Sequence, residues 1–130
     1  MTTETDTLKR RLAEARLPNG ESRWPELSQE CNCPLCRYLD DLHQPDCEHC
    51  DGSGQLPSVT LSTMLAALLR AGLYVSFSAA LGTVWVNMRQ LDPPHYESAH
   101  EGGDSAGISA EAALLAAMAR YLDALEAAAA

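Results

Sequence analysis

The sequence predicts an α+β protein with an N-terminal helix, a module built on four cysteines, and a closing two-layer helix–hairpin–helix domain. Three observations predict this. Two Cys-x-x-Cys pairs sit close together, at Cys33/Cys36 and Cys47/Cys50. Two alternating apolar runs flank Gly82. A stripe of Leu114, Leu115, Met118, Leu122 and Leu125 repeats at helical spacing near the C-terminus. The expected boundaries are residues 1–20 for the N-terminal helix, 21–56 for the cysteine module and 57–130 for the α-β-β-α domain.

Thr5 to Leu17 reads as a short amphipathic helix, with Leu8, Leu12 and Ala15 on one side. LPNG at 17–20 ends it, Gly20 being the stop signal. In the connector ESRWPELSQE, Trp24 is the one large apolar anchor and is expected to pack on the cysteine unit.

The cysteine unit spans about 31–54. Zinc in a structural site takes four tetrahedral ligands, commonly thiolates. A Cys-x-x-Cys turn presents two sulfurs on one side of a tight loop, and the stretch 37–46 is long enough to bring a second turn back to face the first. Cys33, Cys36, Cys47 and Cys50 are therefore the expected ligands of one structural zinc. The energy scale agrees. The unit has only Leu35, Tyr38, Leu39 and Leu42 to bury, against about 1–2 kcal/mol of backbone entropy per ordered residue. A structural zinc contributes about 10 kcal/mol or more. Cys31 is expected to be a free thiol, and His43 and His49 to be solvated or hydrogen-bonded, because four cysteines leave no vacancy.

The second pair and its glycines, Cys47-Glu-His-Cys50-Asp-Gly52-Ser-Gly54, resemble the zinc-finger repeat of DnaJ-type co-chaperones. The resemblance implies zinc ligation. It does not extend to chaperone activity, since Cys33-Pro-Leu-Cys36-Arg lacks the glycines and the chain has no J-domain signature. Thioredoxin-type redox chemistry is the alternative use of such pairs. It needs the motif at a helix start after a strand, and neither pair has a predicted strand before it.

After Pro57, VTLSTMLAALLRAG reads as a helix ending at Gly72. LYVSFSAA and TVWVNMR then form a hairpin. In the first run Val75, Phe77 and Ala79 face one way and Tyr74, Ser76 and Ser78 the other; in the second Val84, Val86 and Met88 lie on one face and Trp85, Asn87 and Arg89 on the other. Residues 91–108 are rich in glycine, proline and charge and read as a long loop, with a brief extended piece near Tyr96. Ser109 is expected to cap the final helix. Two strands alone make a poor sheet, so either the 91–108 segment adds a strand or two chains share one sheet; the latter would make a homodimer.

The order helix, hairpin, polar loop and alanine-rich closing helix in residues 58–127 is also similar to small bacteriophage proteins of the ABA-sandwich type. YVSFSAALGTVWVNMR and ISAEAALLAAMARYL carry the similarity. It implies a phage or prophage origin and no known enzymatic activity.

Charge narrows the function classes. The chain is 130 residues long with a formal charge of −9; four zinc-bound thiolates take this to about −11. No basic stripe exists, so a nucleic-acid-associated role, although an alternative for a zinc-finger protein, lacks its main electrostatic term. A basic or neutral protein partner is easier to accept. His95-Tyr-Glu97 spells the His-x-Glu of zinc deaminases, but there it precedes the cysteines. His95, Glu97, His100, Glu101 and Asp104 could instead form a weak metal or acid–base cluster. Met64 to Val86 is nearly uncharged and long enough to span a bilayer. Arg70, Gly72, Gly82 and the alternating Ser76 and Ser78 argue against a spanning helix. The N-terminus lacks a signal-peptide core, so a reducing, cytoplasmic setting is expected. Together these features predict a small, non-enzymatic, zinc-stabilised interaction or regulatory protein.

Overall fold

A computed structural model of the chain describes residues 4–30, 55–91, 94–102 and 106–129. The first helix, α1, runs Glu4–Ala13, with Glu4 and Asp6 in its first turn and Arg10 and Arg11 in its last. That charge order suits the helix dipole. The helix stops short of the expected Leu17. There the chain turns back on itself: the Leu17 N–H donates to the Glu21 carbonyl at 2.7 Å, Arg16 bridges Ser22, and Gly20 takes a positive φ of 90°. LPNG is thus a reversing turn, with Asn19 Oδ1 accepting from the Glu21 N–H.

A 3-10 turn at Pro25–Leu27 follows. Trp24, just before it, and Leu27, its last residue, are buried in the main core. The Trp24 ring lies 6.4 Å from that of Tyr121. Strands β1, Ser28–Glu30, and β2, Gln55–Pro57, pair antiparallel, with Ser28 opposite Pro57 and Glu30 opposite Gln55.

Helix α2, Leu61–Arg70, opens on a capping box between Thr60 and Thr63. It closes on a Schellman motif: Leu73 N–H to Leu68 carbonyl at 3.0 Å and Gly72 N–H to Leu69 carbonyl at 3.1 Å. Gly72 has a φ of 82°, which only glycine adopts without strain. Arg70 reaches from the last turn to the Glu26 carboxylate, which holds that carboxyl below its ordinary range.

Here the architecture departs from helix–hairpin–helix. Strands β3 (Tyr74–Ala80), β4 (Thr83–Leu91) and β5 (Pro94–Gly102) form a three-stranded antiparallel meander in the order β3-β4-β5. The expected two-layer helix–hairpin–helix domain is corrected to a mixed α+β fold with two antiparallel sheets. The polar stretch after Leu91 supplies the third strand. Its alternation is hidden because it lies at an edge: in PHYESAHEG only Ala99 is buried. Proline is tolerated at the start of such a strand. The β3–β4 turn is Leu81–Gly82, both with positive φ, as a two-residue hairpin requires.

Helix α3, Ala106–Ala129, begins before Ser109. Ser109 is therefore a buried residue within the helix, not its cap. The helix packs across β4 and β5. Ala113 and Ala117 are fully buried and let the helix approach closely, while Leu114, Met118, Val86 and Met88 fill the space. α1 lies along α3, linked at the rim by Lys9–Glu111 (3.2 Å) and Arg11–Glu126 (3.1 Å). Among the described residues no helix is long and apolar enough to cross a membrane.

Trp24 joins the N-terminal elements to this core. Trp24→Ala is expected to cost about 3–5 kcal/mol by denaturant unfolding. Thr60→Ala, which removes one cap, is expected to cost about 1 kcal/mol.

Candidate functional site: the open face of the sheet

The expected zinc ligands Cys33, Cys36, Cys47 and Cys50, with Cys31, His43 and His49, lie outside the described residues. What is described is the base of their segment. The β1–β2 ribbon sets Glu30 opposite Gln55, so the chain leaves and re-enters at one end of a paired ribbon.

The candidate acid–base cluster on β5 is divided by the pleat. Successive strand residues point to opposite faces. His95 and Glu97, opposite Gln90 and the buried Met88, share the face that packs on α3. His95 Nε2 lies 2.9 Å from Glu97 Oε1, and its ring centroid is 5.3 Å from that of Tyr121. His100 is on the other face, opposite Trp85. Glu101 returns to the first face, and Asp104 lies outside the described residues. Among the described residues no group of three or more His, Cys, Asp or Glu side chains is placed to hold a metal. His95, Glu97, Gln90 and Tyr121 instead make a half-buried polar seam, in which the Tyr121 hydroxyl donates to Gln90 Oε1. Burial pushes the Tyr121 phenol up.

The face of the meander turned away from α3 holds a different set. In register across the three strands stand Tyr74, Arg89 and Tyr96; then Ser76, Asn87 and Ser98; then Ser78, Trp85 and His100. Tyr74 and Tyr96 are about three-fifths exposed, and Trp85 more than a third. The Tyr96 hydroxyl donates to Asn87 Oδ1, and the Trp85 and His100 rings are 6.4 Å apart. Tyr74, Asn87, Arg89, Leu91 and Tyr96 line an open concavity of about 550 Å³. Among the described residues this face carries one arginine and no carboxylate, because Glu97 and Glu101 fall on the opposite side. An acidic chain thus presents one patch of aromatic and basic character. The alternation of Trp85, Asn87 and Arg89 shows half of this patch in the sequence. Tyr96 joins it only once β5 is recognised as a strand.

No family model matches the chain, and neither the curated proteins nor the solved structures contain a match to it.

The Tyr121 environment makes a pH prediction. A raised folded pKa means that stability is fully present below the unfolded tyrosine's value of about 10 and is lost as pH rises through the folded pKa. Unfolding measured between about pH 9 and 11 is expected to show this decline, with a smaller slope in Tyr121→Phe.

Proposed function

We propose that this chain is a non-enzymatic interaction protein. One structural zinc holds its cysteine segment, and the open sheet face receives a protein partner. The cross-strand row Tyr74–Arg89–Tyr96, with Trp85 beside it, carries this reading. Tyrosine, tryptophan and arginine dominate the energetics of protein interfaces, because each offers a large contact area and a polar handle. The chain's overall charge of −9 favours a basic or neutral partner at long range. Arg89 gives one carboxylate or carbonyl of that partner a local contact. The phage or prophage origin implied by the similarity of residues 58–127 belongs to this reading.

The zinc reading is supported by the donor set and by the ribbon. Four thiolates in two Cys-x-x-Cys pairs match zinc's preference. Pairing of Glu30 with Gln55 closes the loop that contains them, which lowers the entropy cost of bringing the two pairs together. Cys33, Cys36, Cys47 and Cys50 would hold the ion, whose role is structural.

A single-stranded nucleic acid could stack on the same aromatics. The acidic charge opposes it, and salt dependence separates the two readings.

Metal analysis of reductant-treated protein is expected to find one zinc per chain, lost in Cys47→Ser. Chelation should expose residues 31–54 to protease while the helical circular dichroism signal persists, since the core is built from other residues. A metal-free chain with a cycling disulfide would support redox chemistry instead. Arg89→Ala with Tyr96→Ala is expected to weaken retention of a host protein by about tenfold or more with the melting temperature unchanged. Equal retention by the variant, or retention of nucleic acid that salt abolishes, would overturn the interface.

A further inference from the structure

The two edges of the meander are unlike. β5 is protected: it begins with Pro94, carries Glu97 and Glu101, and its Ser98 carbonyl accepts from the Arg120 guanidinium of α3 at 2.6 Å. Charge, proline and covering side chains are the usual means of blocking a sheet edge. β3 has neither the charge nor the proline. Its sequence YVSFSAA has no charged residue and no proline, and among the described residues it pairs on one side only, with β4. α3 crosses β4 and β5, so Phe77, on the core side of β3, stays 39% exposed. Leu81, at the end of the strand, is fully exposed.

We propose that β3 pairs antiparallel with β3 of a second copy of this chain, making a two-fold dimer with a continuous six-stranded sheet. The strand reads nearly alike in both directions about Phe77. With Phe77 opposite its own copy, Ser76 faces Ser78 of the partner subunit, Val75 faces Ala79 of the partner subunit, and Tyr74 faces Ala80 of the partner subunit. Every core-side pair is then apolar and the central outward pairs are serines. A two-fold contact sets residue i against residue j of the second copy and j against i, and in this register each such pair along β3 matches in character. Charge points the same way. Two chains of −9 repel, and an uncharged strand is where they can meet at least cost. The two Phe77 side chains would fill the space that each α3 leaves over β3. The proposal stands apart from the partner assigned to the open face, which the dimer would double in width.

Sedimentation equilibrium of the full chain is expected to give a dimer of twice 14.0 kDa. Ser76→Lys with Ser78→Lys sets lysines opposite lysines across the two-fold axis and is expected to weaken the dimer about tenfold or more. Ser76→Glu with Ser78→Lys sets opposite charges against each other at the same positions and is expected to restore it to within about threefold of wild type. Hydrogen exchange on the unsubstituted chain reads the contact without a variant: protection over 74–80 should rise with protein concentration. A wild-type monomer up to about 100 µM, a dimer indifferent to the double lysine, a charge-swapped variant as weak as the double lysine, or concentration-independent protection of β3 would each overturn the proposal.

Discussion

The close seating of α3 on β4 and β5 governs the rest of the structure. It depends on the absence of side-chain bulk at Ala113 and Ala117, both fully buried. Leu114 and Met118, turned to the same core, then interlock with Val86 and Met88. Burying such side chains contributes about 1.5–3 kcal/mol each, far more than the exposed ion pairs at the α1–α3 rim, where solvent screening leaves about 0–1 kcal/mol. The helix can cover only the strands it crosses. Two come under it, and β3 is left with its core-side residues half open.

That placement also divides the chemistry of the sheet. On the helix side, polar residues of β5 are drawn into a seam with Tyr121, where burial limits them to partners within the fold. On the far side nothing described covers the strands, and aromatic residues stand in water beside an arginine. The proposed partner contact rests on this exposed aromatic surface. The N-terminal segment serves the opposite purpose. Trp24 and Leu27 plug the core beside Tyr121 and α2, and from this anchored point the β1–β2 ribbon carries the cysteine segment.

Much of the fold is legible in the sequence where one physical signal acts alone. The apolar run ending at Gly72 marks α2, and the structure adds the Thr60 capping box at its start and the left-handed backbone of Gly72 at its end. Alternation around Gly82 marks β3 and β4. The signal fails at β5. An edge strand under a helix has few positions to bury, so its apolar alternation shrinks to Ala99 and its glutamates and histidines mimic a loop. It fails again at Ser109, where a residue suited to capping lies inside a helix that had already begun. Of the candidate residues, the open-face set is half visible as Trp85, Asn87 and Arg89, and the histidine cluster of β5 is a proximity in sequence that the pleat separates.

By itself the sequence determined the mixture of helices and strands, the acidic charge, and the two closely spaced thiol pairs, since each follows from local residue type and spacing. Only the tertiary structure decided that 94–102 is a strand, that His95 and His100 part to opposite faces, that Tyr74, Arg89 and Tyr96 meet, and that β3 is an edge strand among the described residues. These outcomes depend on which surface α3 covers, and that is settled by packing between residues far apart in the chain.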